Sequence, residues 1–201
     1  MTEASSSTID KPAAYAVSPA KLAHVVLRTP RFEGMKKWYL ALLNGRVSYE
    51  NEALAFLCYD EEHHRIALIN IPVLADKAPG TSGMDHLAFT YNNLSDLYAT
   101  YRRVKEGDGI VPFWAINHGP TTSLYYRDPD GNQVELQVDN FDTDEEGNAF
   151  FASPEFAENP IGVDFDPEEL GRRLAAGEAD SAIKKRPNIG PRGLADGVPL
   201  Q

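Results

Sequence analysis

"MDHLAFTYNNLSDLYATYRRVKEG", residues 84–107, decides the fold because it restarts a pattern already used once. Its first eight residues, "MDHLAFTY", read as a strand. The remainder has helical spacing, with Asn93 or Ser95 as N-cap and Gly107 as stop. Three strand-like runs follow: "VPFWAINH", "TTSLYYR" and "NQVELQV".

The earlier half reads the same way. "KLAHVVLRT" is a strand, and "RFEGMKKWYLALLNG" is a helix with Phe32, Met35, Tyr39 and Leu42 on one face and Gly45 after it. "RVSYENE", "LAFLCYD" and "RIALINIP" complete the set. Two βαβββ modules, about 20–74 and 83–139, are therefore expected to form one α+β domain over 20–139. Its mixed, cupped sheet would place a site between the halves. His24 and His86 occupy matching places on the two first strands.

Residues 1–19 read as a flexible leader and 140–201 as a C-terminal extension. The acidic, aromatic part of the extension up to about 160 is expected to be irregular. A short helix near 166–176 follows, capped by Asp166, begun by Pro167 and ended by Gly177. The rest reads as an extended tail that could wrap the domain or a neighbouring subunit.

A formal net charge of −11 argues against nucleic acid or anionic membrane as partners. The run "KKRP", 184–187, is too short for a binding patch and reads as solvated. With Cys58 alone, no internal disulfide and no cysteine zinc site is possible. The start of the chain lacks a basic and an apolar region, and no run reaches about 18 apolar residues. A cytoplasmic location is expected.

Alternation along the strands sorts the polar residues. In "NQVELQV" Gln133, Glu135 and Gln137 share one face, opposite Val134, Leu136 and Val138. The apolar face suits helix packing, which leaves Glu135 facing a wetter concavity. His86 lies with Ala88 and Thr90, and His24 with Val26 and Arg28. Two histidines and one carboxylate are the composition of a facial metal triad with open positions. Of the adjacent pair His63 and His64, the second shares its face with Ile66 and Leu68 and is the inward candidate.

The turn "DPDGN" adds a geometric expectation. Centred on Asp130, it sets Tyr125 opposite Glu135 on one face and turns Tyr126 the other way. Trp114, Phe113, Tyr126 and Phe151 are candidates to line an aromatic pocket.

These residues resemble the vicinal oxygen chelate superfamily and, within it, the single-module type I extradiol ring-cleavage dioxygenases. The broad likeness is the paired element order over residues 20–139. The narrower one is the string His118, Leu124-Tyr125, Asp128-Pro129, Gly131, Glu135, joined by "CYDEEHHRIAL" around His64. The resemblance implies that His24, His86 and Glu135 bind iron(II), with manganese(II) as the other possible metal. It makes His64 the acid–base residue, and His118 and Tyr125 the hydrogen-bond partners of a bound catecholate. The implied reaction is meta cleavage of an aromatic diol by O2 to a muconic semialdehyde-type product, in a homo-oligomer. Two other readings share part of the pattern. One is another metal enzyme of this fold, glyoxalase-like or fosfomycin-modifying-like; the other is a metal-free small-molecule binder. His64, His118 and Tyr125 separate the dioxygenase from the first, and the three intact ligand-type residues, His24, His86 and Glu135, argue against the second.

Overall fold

The computed structural model describes residues 17–78 and 80–193. Residues 1–16 of the expected leader and 194–201 of the tail lie outside the described residues. The first module runs β1 (Val25–Thr29), α1 (Phe32–Leu43), β2 (Arg46–Glu50), β3 (Leu54–Cys58) and β4 (Ile66–Asn70). The second repeats the order with β5 (His86–Thr90), α2 (Leu94–Asp108), β6 (Trp114–Asn117), β7 (Thr121–Arg127) and β8 (Gln133–Asp139).

Each module makes its own open, mixed sheet. The first has the order β1-β4-β3-β2. In the second, β5-β8-β7-β6 is extended by β9 (Val163–Asp164), a strand contributed by the C-terminal extension. In both sheets the first strand runs parallel to the last strand of its module, and the other module pairs are antiparallel. The helix of each module joins its first strand to its second, on the far side of the module's four strands, which is the long connection that a parallel crossover requires.

The helices cover one side of the sheets. Phe32, Met35, Trp38, Tyr39 and Leu42 of α1 are buried, as are Leu94, Leu97, Tyr101 and Val104 of α2. They share one apolar cluster with Leu68, Leu124, Tyr126, Val134, Leu136 and Val138. Tyr126 therefore belongs to this helix-side core and is fully buried there, away from any pocket on the other face. Arg103 of α2 donates to the carbonyls of Ala41 and Leu42 in the last turn of α1.

Two helix ends differ from expectation. After α1 the left-handed residue is Asn44, at φ 50°, ahead of Gly45. The α2 helix continues past Gly107 and stops at Gly109, whose φ of 67° lets the next N–H, that of Ile110, reach the Val104 carbonyl. Asn93, and not Ser95, is the N-cap, accepting from the Asp96 backbone.

The stretch after residue 140 is more regular than its composition suggests. It holds α3 (Asp144–Phe151), α4 (Pro154–Glu158), α5 (Pro167–Ala175) and α6 (Asp180–Ile183). Neither α3 nor α4 buries a residue, so no apolar stripe announces them. No helix among the described residues is long and apolar enough to cross a membrane.

Candidate active site

Glu135 sits in the middle of β8 and is 4% exposed. Its parallel register partner is Ala88 on β5, and its antiparallel partner is Tyr125 on β7, the pairing set by the turn centred on Asp130. His86 opens β5, and its Nε2 lies 3.0 Å from Glu135 Oε2. Its Nδ1 lies 2.7 Å from Asp85 Oδ2. The His86 ring meets the Tyr125 ring edge-on, with centroids 5.3 Å apart.

These contacts set the charges. The bond to Glu135, supported by Asp85, pushes the His86 pKa up to about 9 against the opposing effect of burial. Burial alone would raise the Glu135 pKa, but bonds from His86 and Ser123 hold it below the ordinary carboxylate value. The pair is thus a half-buried imidazolium–carboxylate contact that a metal ion would enter by expelling the imidazole proton.

Tyr125 is joined to His118, whose Nε2 lies 3.0 Å from the tyrosine hydroxyl. His118 Nδ1 lies 2.5 Å from the Ile161 carbonyl oxygen. Burial lowers the His118 pKa and raises that of Tyr125, so both groups are held neutral. Trp114, Ile116 and His118 alternate onto one face of β6 and its continuation. Trp114 packs on Tyr125 with ring centroids 5.0 Å apart, while its indole N–H donates to Asp164. Phe113, Ile116 and Ile161 complete a small apolar cluster around Tyr125.

The first module supplies a second group. His24 is exposed and stands immediately ahead of β1. His64 lies in the connection between β3 and β4, half-buried, with its ring centroid 4.3 Å from that of His24. It stacks on Phe56 at 4.6 Å and 16°. Burial, followed by the neighbouring His24, lowers its pKa. His63 is exposed.

The six residues singled out from the sequence thus fall into two clusters: His86, Glu135, Tyr125 and His118, and then His24 with His64. A cavity of about 280 Å³ is lined by His24 together with Leu87, Ala88 and Phe89. Ala88 is the register partner of Glu135, so His24 borders β5, the strand that carries His86. Among the described residues, no three histidine, cysteine or acidic side chains stand together in a metal-holding group. The donor set fits a divalent ion in kind, two imidazoles and a carboxylate, and two of the three meet at 3.0 Å.

Other candidates separate. Phe151 is 52% exposed on α3, and Tyr126 faces the helix-side core, so of the aromatic candidates only Trp114 and Phe113 border Tyr125. Three contacts around His118 went unread: the Ile161 carbonyl, Asn140, and Arg186 from the run read as solvated. Arg186 donates to the carbonyls of His118, Asn159 and Glu155, and its guanidinium lies over the Phe150 ring. Asn140 donates to the Gly119 carbonyl. An asparagine after a strand is a weak sequence signal, and a backbone acceptor gives none.

The family model described as the glyoxalase/bleomycin resistance protein/dioxygenase superfamily matches residues 21–136. The biphenyl-2,3-diol 1,2-dioxygenase 2 of Rhodococcus globerulus is 51% identical over 158 residues, covering 78% of this chain and 83% of the relative. The biphenyl-2,3-diol 1,2-dioxygenase 3 of the same organism is 45% identical over 168 residues, covering 83% and 88%. Among solved structures, a glyoxylase/bleomycin resistance protein/dioxygenase domain from Frankia sp. EAN1pec aligns with a TM-score of 0.50. It is 19% identical, covers 61% of this chain and 93% of its own, and speaks to the fold alone. With the element order, the two clusters and these relatives in view, the chain belongs to the glyoxalase/bleomycin resistance protein/dioxygenase superfamily and, within it, to the extradiol dioxygenases.

Proposed function

We propose that this extradiol dioxygenase opens a 2,3-dihydroxybiphenyl-type diol with O2, using iron(II) held by His24, His86 and Glu135. One observation carries the reading. A buried carboxylate in contact with an imidazole shares one sheet face with a neutral tyrosine–histidine pair and an indole. Iron(II) bound there would bring diol and dioxygen together and pass electrons between them.

The chain's own residues have distinct tasks in this reading. Tyr125, directly across from Glu135, stands where a diol hydroxyl would meet its phenol oxygen. His118 holds Tyr125 from behind at 3.0 Å. Trp114 and Phe113 offer a half-buried aromatic wall beside Tyr125, suited to the ring that an aryl-substituted diol carries and a plain catechol lacks. His64, poised on Phe56 next to His24, is the side chain suited to move a proton near neutrality.

The test is anaerobic loading of the protein with iron(II), and separately with manganese(II), followed by biphenyl-2,3-diol and catechol in air. Oxygen uptake with a coloured ring-fission product from the aryl diol supports the reading. Absence of uptake despite bound metal overturns it.

A further inference from the structure

The C-terminal extension is fastened to the β6–β7 connection at unusually short range. A Cβ on Gly162, whose φ is +118°, would lie 2.3 Å from the Asn117 carbonyl oxygen and 2.8 Å from His118 Cα. A Cβ on Gly119, at φ +105°, would lie 2.4 Å from the Phe150 ring. Glycine at 162 permits this close approach to the backbone at His118, and glycine at 119 leaves room for the Phe150 ring beside it. The buried Asn159 side chain accepts from the N–H groups of Ile161 and Gly162, shaping the turn from which the Ile161 carbonyl projects. Arg186 then ties the two strands of this clamp together: one of its nitrogens donates to the His118 carbonyl at 3.0 Å and the Asn159 carbonyl at 2.8 Å.

What the clamp delivers to His118 is a single acceptor. A carbonyl oxygen cannot donate, so the contact between Nδ1 and Ile161 requires the proton on Nδ1. In a neutral ring Nε2 is then bare and must accept, and the group within reach is the Tyr125 hydroxyl. The tyrosine proton has a rival acceptor in Glu135, the group across the strand pair, but that carboxylate already accepts from both His86 and Ser123.

We propose that the extension is a tautomer clamp, in which the Ile161 carbonyl, carried on the turn that Asn159 shapes and Arg186 fastens to His118, fixes the His118 proton on Nδ1. This directs the Tyr125 hydroxyl toward His118 and turns a tyrosine lone pair toward the diol. Arg186 is a positioning residue: it acts on the reaction only through His118 and Tyr125. The proposal rests on the functional reading only for its effect on turnover.

The test uses the full chain, labelled with ¹⁵N at histidine and loaded with zinc(II), which is diamagnetic. Two-dimensional nitrogen–proton spectra separate protonated from bare ring nitrogens. The expected result is His118 protonated on Nδ1 and bare on Nε2. In Arg186→Met both tautomers are expected, and in the iron(II) enzyme kcat falls about 10-fold, the usual scale for loss of an orienting partner, with KM for the diol little changed. Arg186→Lys, which keeps charge without the fork, is expected to restore part of both signals. A wild-type His118 carrying its proton on Nε2 overturns the proposal, and so does an Arg186→Met protein with unchanged tautomer and kcat. The wild-type spectrum decides the first point even if Arg186→Met does not fold. If no diol is turned over by the wild type, the functional reading fails while the tautomer is still decided by the spectra.

Discussion

The hydroxyl of Tyr39, on α1, donates at 3.0 Å to the carboxylate of Asp128 in the turn between β7 and β8. A helix of the first module thereby grips the hairpin that carries Tyr125 and Glu135. Asp128 is 4% exposed and also accepts from the Asp130 and Asn132 backbones and the Asn132 side chain.

Loss of that grip is a stability test with a defined pH dependence. Burial raises the Asp128 pKa above its ordinary 3.8, against the opposing pull of its hydrogen bonds. Being raised, it contributes stability that is present below pH 3.8 and lost as pH rises through the folded value. Tyr39→Phe removes one bond that favours the charged form, so the folded pKa rises further. The expected cost is about 1–2 kcal/mol near neutrality and less below pH 3.8. Urea unfolding of both proteins across this range checks it, and an equal cost at every pH would contradict the assignment.

Glu135→Gln keeps the shape of the side chain and removes its charge. Gln can still bond Ser123 but lacks the charge that raises the His86 pKa, so a modest fall of the urea midpoint near neutrality is expected, fading as pH rises through about 9. Iron(II) retained after desalting is expected to fall by more than the roughly 10–100-fold that an outer partner costs. Retention of a full equivalent would remove Glu135 from the metal set.

His64→Phe separates proton transfer from binding. A phenyl ring can stack on Phe56 as the imidazole does. Metal content and KM are therefore expected to hold while kcat drops about 10²–10⁴-fold. Normal turnover would assign the acid–base role elsewhere.

Trp114→Ala should discriminate between substrates. Removing the indole opens the wall beside Tyr125 and frees Asp164, which Arg192 still holds. KM for biphenyl-2,3-diol is expected to rise about 10-fold or more, with catechol affected less. Equal losses for both diols would mean that Trp114 does not contact the distal ring.

The module repeat could be read from the sequence because each strand–helix boundary carries local chemistry. Asn93, Leu94, Leu97 and Val104 write cap and stripe into α2, and the D-P-D-G-N turn fixes the register that sets Tyr125 against Glu135. What stayed hidden depends on distant partners. The "TDEE" at 143–146 does carry a cap, since Thr143 accepts from the Glu146 N–H, yet α3 buries nothing and its acidic composition masks the helix. Arg186 looked like one more solvated cation because the three carbonyls it meets lie 27 to 68 residues away. The division of the six site residues between two clusters is likewise a matter of how the modules pack, which strand periodicity does not encode.

The pairing of β9 with β6 has a consequence for how the chain is made. Strand Val163–Asp164 adds to the outer edge of the second sheet, and Arg186 secures the loop behind it. Both leave the ribosome after every element of the two modules. A nascent chain that has finished β8 therefore still exposes the bare hydrogen-bonding edge of β6, open to mispairing until about 25 more residues emerge. Biogenesis thus has a late checkpoint: the two modules that hold the site histidines are synthesised first, and the segment that shields the β6 edge and sets His118 follows them.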